Sequence, residues 1–431
     1  MKRTLLITAA MMATTLAQAE DFAITNARVH TLGAAGTLDS ATVLIRDGRI
    51  VAVEAELAAP DGVTVIDAAG RVVTPGIFDV LSSLGAVEVS AVDGTDDTSV
   101  TASYGAGFDI ADAINPRSSV IDVNRIEGVT RALVVPSAPY GQTGSVLAGQ
   151  GAAIALGNSA DDVLVARGAA VVAYLGEFGS ALAGGSRAAA VQSLREALED
   201  ADDYNRHRDE YDEGDRRAYS VSRLDLQALL PVVSGRTPLL VYADRVSDLR
   251  VIIDLKSELS LNIIVAGGAE AWMVADELAA ADVPVIVDPF ENLPGSFDSL
   301  NASLENAARL QKAGVLIAFA QGDSHNPRNL TQAAGNAVAN GLEWEAALAA
   351  ITLNPAKMLG LDEGCCYLQA GVDADLVLWD GDPLEVTTFA DEVFVRGERI
   401  DMQSRQTLLR DRYRTLDAPL PPAYPRAAPS P

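Results

Sequence analysis

The side chains of this sequence that can move a proton are overwhelmingly carboxylates. There are 59 Asp and Glu, against three histidines (His30, His207 and His325) and two cysteines, Cys365 and Cys366, which are adjacent. Neighbouring cysteines cannot staple distant segments, so this is no disulfide scaffold. A pair of carboxylates can hydrolyse a bond without a metal only if one member has a raised pKa. The acids that follow apolar runs are therefore the ones to place. Asp288, Glu291 and Asn292 follow residues 285–287, Asp93, Asp96 and Asp97 come after residues 77–80, and Asp323 and His325 come after residues 315–319. The plainer role for such an acid is capping the next helix through its backbone N–H groups. The plainer role for His325 is a loop hydrogen bond, and for His30 a partly exposed strand position. Tyr140-Gly141-Gln142-Thr143-Gly144-Ser145 is a Gly-rich turn that lacks the Lys of a phosphate loop.

The elements that must hold these groups are legible from periodicity. Eight short apolar runs, at residues 77–80, 131–135, 152–156, 170–175, 239–243, 263–266, 285–287 and 315–319, recur with amphipathic segments between them, among them 246–259, 269–281 and 300–313. Eight such units predict a parallel sheet closed into a (β/α)₈ TIM barrel, whose catalytic groups sit on the loops after the strands. An open doubly wound sheet is the rival, and no Gly-x-Gly-x-x-Gly follows any of the runs. Residues 22–30, 41–45 and 50–53 read as strands around the turn Arg46-Asp47-Gly48-Arg49, and the texture returns at 374–379 and 392–400 with the turn Arg396-Gly397-Glu398. The β-rich ends predict one small β-sandwich domain formed by both ends of the chain: residues 20–74 with 361–415, flanking a barrel at 75–360. Residues 196–217, with mixed charges, read as a solvated helix and loop. The tail 416–431, rich in Pro and Ala, builds no packed element.

The motifs at these boundaries resemble the amidohydrolase superfamily, in particular its imidazolonepropionase-like and prolidase-like branch. Val73-Thr74-Pro75-Gly76-Ile77-Phe78-Asp79 is similar to its opening motif, and Asn354-Pro355-Ala356-Lys357-Met358-Leu359-Gly360, Gly371-Val372-Asp373-Ala374-Asp375-Leu376-Val377-Leu378-Trp379 and Gly381-Asp382-Pro383 to its closing segments. The resemblance implies hydrolysis of carbon–nitrogen bonds, usually with metal ions that acidify a bound water. It also implies ligand positions that this sequence fills with other residues. Leu81 and Ser83 stand where two histidines are expected, Tyr242 and Gly267 replace those of the fifth and sixth strands, and no lysine lies on the fourth, where Glu177 is the carboxylate nearest that position. Leucine and glycine bring no donor, and a neutral hydroxyl suits zinc poorly. Asp323 keeps the family's catalytic aspartate on the eighth strand. The resemblance thus puts Asp323, His325, Tyr242 and Glu177 in the site. It predicts no cofactor at high occupancy, and at most one weakly bound divalent metal such as zinc. An amidohydrolase-fold pseudoenzyme that binds a small ligand or partner protein is the alternative.

Residues 1–19 have a basic start at Lys2 and Arg3, a short apolar stretch and an Ala17-Gln18-Ala19 exit, which predicts cleavage after Ala19 and a periplasmic or secreted protein. The formal charge of −27 argues against nucleic acid as a partner, and no later run is long enough for a membrane span. The expected partner is a small amide-like molecule. A homo-oligomer is compatible with the composition.

Overall fold

The structure, a computed structural model, describes residues 20–90, 92–99, 104–139, 141–321 and 326–414. The expected leader 1–19, the Pro-rich tail, Asp323 and His325 lie outside the described residues.

All eight apolar runs form strands of one nearly closed sheet: Ile77–Ser82, Val129–Val134, Leu147–Ala155, Leu164–Tyr174, Leu239–Ala243, Ile263–Gly267, Val285–Val287 and Ile317–Phe319, each bonded to the next. Alternate residues of each strand face opposite ways, as the pleat requires. Phe78, Val80, Leu133, Val172, Leu240, Ile264, Ile286 and Ala318 fill the barrel, while Ile77, Ala132, Val171, Val241, Val265, Val285 and Ile317 join the layer under the helices. The barrel is a packed core, open only at its strand ends. The strands are not all parallel, which corrects the expected regular alternation. The third runs antiparallel to both neighbours, joined to the fourth by a short connection with no helix between. An apolar run of Ala and Ile reads the same in either direction, so the sequence pattern carries no trace of this reversal.

Helices cover the sheet where expected. Val246–Leu259 is helical throughout; the segment expected to be helical at 269–281 splits into a short 3₁₀ turn and Ala275–Ala280, and that at 300–313 is helical only over Asn306–Ala313. The stretch expected to be solvated is partly core. Helix Arg187–Arg206 buries Leu194, Leu198, Asp200 and Tyr204, and His207, at its end, lies within reach of Asp203 and Arg216. Polar spacing hid that face.

Both ends of the chain build one sheet, because Leu376–Trp379 pairs antiparallel with Val72–Pro75, so the last segment of the chain completes the first. Two tight turns lock it. Asp47 and Gly48 have φ of 47° and 79°, Arg396 and Gly397 of 50° and 75°, the signs that a two-residue hairpin demands. The turns also touch: a Cβ on Gly397 would lie 2.5 Å from the Gly48 Cα, so glycine is required there for close approach as well as for φ. Arg131 of the second barrel strand reaches into this domain, bonding Asp375 through Nε at 2.5 Å and Asp373 through Nη2 at 2.7 Å. Cys365 and Cys366 are joined to each other and pack with Leu353 and Met358 against the barrel interior. Among the described residues no helix is long and apolar enough to cross a membrane.

Candidate active site at the barrel mouth

The strand ends open into a mouth that two tyrosines divide. Tyr242 is directly in register with Tyr174 on the neighbouring parallel strand, so both side chains leave the sheet on the same side. Their rings stack, 4.6 Å apart and 13° from parallel, with Phe178 edge-on to Tyr174 at 4.8 Å. On one side is a cavity of about 430 Å³ lined by Leu175, Glu177, Phe178, Leu182, Asp244 and Asp298 with the two tyrosines. On the other is a chamber of about 220 Å³ lined by Leu81, Ser83, Asp96, Thr98 and Ser137 with the same tyrosines. The expected positions Leu81, Ser83, Tyr242 and Glu177 thus do meet at one mouth. Glu177 is exposed at its rim. His30, expected to be partly exposed, is buried far from it, hydrogen-bonded to Thr37 and packed on the Trp344 ring.

Burial sets the proton affinities here. Asp79, on the first strand, is buried, and loss of solvation lifts its pKa to about 6 despite hydrogen bonds from Ser82 and the backbone of Leu81. The Tyr242 phenol is pushed well above 10 by burial, with Tyr174 and Asp79 adding to the effect, and Tyr174 to about 12 by burial. Asp244, at the end of the fifth strand, rises to about 6 through burial and the nearby charges of Asp298 and Glu270. Glu291 rises to about 7 through burial and the charges of Asp244 and Asp288, and burial raises Asp288 as well. Sequence reasoning named Asp288 and Glu291 but passed over Asp244 and Asp79. The available signal was an aspartate inside or directly behind a buried strand, where water is excluded.

The sixth strand shows why Asp244 can sit there. Gly267 has φ 94°, and a Cβ on it would stand 2.4 Å from Asp244 Oδ1, so the carboxylate occupies the space a side chain at 267 would need. Asp244 Oδ1 accepts from the Ala269 N–H at 3.2 Å. The loop carrying Asp288 and Glu291 is tied down by Asp298, which accepts the Glu177 N–H at 2.6 Å and holds Arg187 through both carboxylate oxygens. Among the described residues the donors around the mouth do not fit a metal pair: the four positions where the resemblance expects imidazoles hold Leu81, Ser83, Tyr242 and Gly267. Among the described residues no three His, Cys, Asp or Glu are grouped so as to hold an ion.

Residues 244–400 match the amidohydrolase family. An amidohydrolase from Thermotoga maritima MSB8 superposes with a TM-score of 0.78 over 89% of this chain and 100% of that one, at 24% identity. Over residues 244–400 the chain is similar to the amidohydrolase family, and its fold is that of the Thermotoga amidohydrolase. A prolidase complexed with N-methylphosphonate-L-proline shares the fold, with a TM-score of 0.53 at 17% identity over 89% of this chain and 100% of that one. In sequence the chain is 24% identical over 397 residues to the amidohydrolase TasK of Hapsidospora irregularis, covering 82% of this chain and 39% of that one. It therefore spans about two fifths of the length of that curated relative.

One stability prediction belongs to the floor of the mouth. Below pH 3.8 Asp79 is protonated in folded and unfolded chains alike and costs nothing. As pH rises from 3.8 through about 6 the unfolded chain releases the proton that the folded one keeps, so stability falls. The gap corresponds to roughly 3 kcal/mol. Asp79→Asn never ionises, so its melting temperature should exceed the parent's above pH 7 and converge with it near pH 3.5. A variant less stable than the parent at pH 7.5 would show that the ionised carboxylate is needed there.

Proposed function

We propose that this protein is an exported hydrolase that cleaves the carbon–nitrogen bond of a small amide with a carboxyl pair, Asp244 and Glu291, in place of the family's metal centre. The reading is supported most by one observation: two carboxyls of the kind the sequence required, each with a pKa lifted by burial, stand behind the fifth and seventh strands of a barrel whose relatives carry hydrolase names. With Asp244 ionised and Glu291 protonated, Asp244 takes a proton from water as it attacks the amide carbonyl carbon. Glu291 gives its proton to the leaving nitrogen as the C–N bond breaks, yielding a carboxylic acid and an amine. Asp244 lines the cavity directly beside the aromatic wall of Tyr174, Phe178 and Tyr242, and its partial burial there strengthens its proton transfer. The Tyr242 phenol stays protonated and available as a donor to the carbonyl oxygen. Asp323, at the family's catalytic position by resemblance, is a further acid to test.

The reading is tested with a panel of dipeptides, amino acid amides, N-acyl amino acids and cyclic amides, following release of the amine. Turnover of at least one by the parent, lowered by at least about 100-fold in Asp244→Asn, is expected. A silent panel would contradict hydrolysis. One observation favours a second reading, a ligand-binding protein without turnover: the Tyr174–Tyr242 stack stands at the strand ends where the resemblance expects an imidazole.

A further inference from the structure

The larger chamber has an electrostatic sign. Glu177, Asp244 and Asp298 line it, Asp96 lines its neighbour, and no Lys, Arg or His lines either among the described residues. The three acids of the larger chamber are not equivalent. Asp298 is neutralised by Arg187, which also holds Asp248. Asp244 has backbone N–H donors only. Glu177 has no side-chain hydrogen-bond partner among the described residues and senses Arg187 only through space. Beside Glu177 the wall is aromatic, with Phe178 edge-on to Tyr174 and Tyr174 stacked on Tyr242. The Tyr242 hydroxyl, bordering both chambers, also lacks a partner among the described residues. Leu175, Ala181, Leu182 and Pro139 add apolar wall, and Gln142 and Ser296 bring uncharged polar groups.

A carboxylate beside aromatic rings attracts an ammonium group twice, through its charge and through the negative ring face. It repels a carboxylate or phosphate on the ligand, which would find no cationic partner there. We infer that the ligand of this mouth is a small amide bearing a protonated amine next to an apolar side chain, its ammonium held between Glu177 and the Phe178–Tyr174 wall and its amide toward Asp244. A cavity of about 430 Å³ is of the size that takes a small molecule of this kind. The inference rests on the proposed function for the position of the amide, and adds the recognition of the amine.

The test uses L-leucinamide, its N-acetyl derivative in which the amine is no longer basic, and the full mature protein in calorimetric titrations at pH 6.5. L-leucinamide is expected to bind at least about ten-fold tighter than N-acetyl-L-leucinamide. Glu177→Gln should lose roughly that factor for L-leucinamide and leave the acetylated probe unchanged, and Phe178→Leu should lose less in the same direction. Equal or tighter binding of the acetylated probe, no binding of either, or an equal loss for both in Glu177→Gln would each overturn the inference. Hydrolysis of the acetylated amide at the same efficiency would sink amine recognition and leave C–N hydrolysis standing. L-leucinamide bound as expected but not hydrolysed to leucine and ammonia would do the reverse.

Discussion

Asp244→Asn is expected to lower turnover by roughly 100- to 10,000-fold with the fold intact, because asparagine keeps the size and the acceptor for the Ala269 N–H but cannot take a proton. Glu291→Gln should cost a comparable factor by removing the acid. The two losses should be far from additive if the carboxyls act as a unit. The parent's pH profile follows from the signs of the two shifts. The base must be ionised, so activity rises as pH passes about 6; the acid must be protonated, so activity falls beyond about 7. The two groups titrate as a coupled pair, so both limbs belong to the pair and to neither residue alone. In Glu291→Gln the residual activity should lose its alkaline limb, and in Asp244→Asn its acid limb. A profile unchanged in both variants would remove these residues from the chemistry.

The largest stability effect is expected at Asp375. Its carboxylate bonds Arg131 Nε and accepts the Arg396 N–H at 2.6 Å, while its carbonyl accepts from the Gly76 N–H, so one buried residue ties the barrel to the domain built from the chain ends. The Arg131 side chain is 7% exposed and that of Asp375 1%. Asp375→Ala leaves a guanidinium with little access to water and only Asp373 to face. Breaking a buried pair in this way costs about 3–5 kcal/mol. Urea denaturation should show that loss, and the double variant Arg131→Met, Asp375→Ala should recover a good part of it because the uncompensated charge is gone. A loss under about 1 kcal/mol in the single variant would mean that Asp373 alone suffices.

How far the fold was legible depends on which physics each feature uses. The eight strands and the terminal sheet rest on local burial patterns and on Asp-Gly and Arg-Gly turns, and these are visible in the sequence. The reversed third strand rests on where a chain with no intervening helix turns back, and an apolar run has no direction. At the mouth, Leu81, Ser83, Tyr242 and Glu177 were placed through motif spacing and do converge. Asp244 was not singled out, since an aspartate after a strand is ordinarily a cap and only the packing of Gly267, Asp298 and Glu270 around it makes it unusual. The same packing bears on any attempt to rebuild a metal site. An imidazole at Gly267 would have to displace the Asp244 carboxylate and adopt a positive φ, so Gly267→His is expected to disturb the mouth even where Leu81→His is tolerated.

The most direct test of the central claim is the rate of amide hydrolysis by protein dialysed exhaustively against a strong chelator, with the metal content of the same sample measured by elemental analysis. Carboxyl catalysis predicts an unchanged rate with well under one zinc, manganese or iron per chain. A rate that vanishes with the metal and returns when zinc is added back would contradict it, and would send the search for ligands to Asp323 and His325.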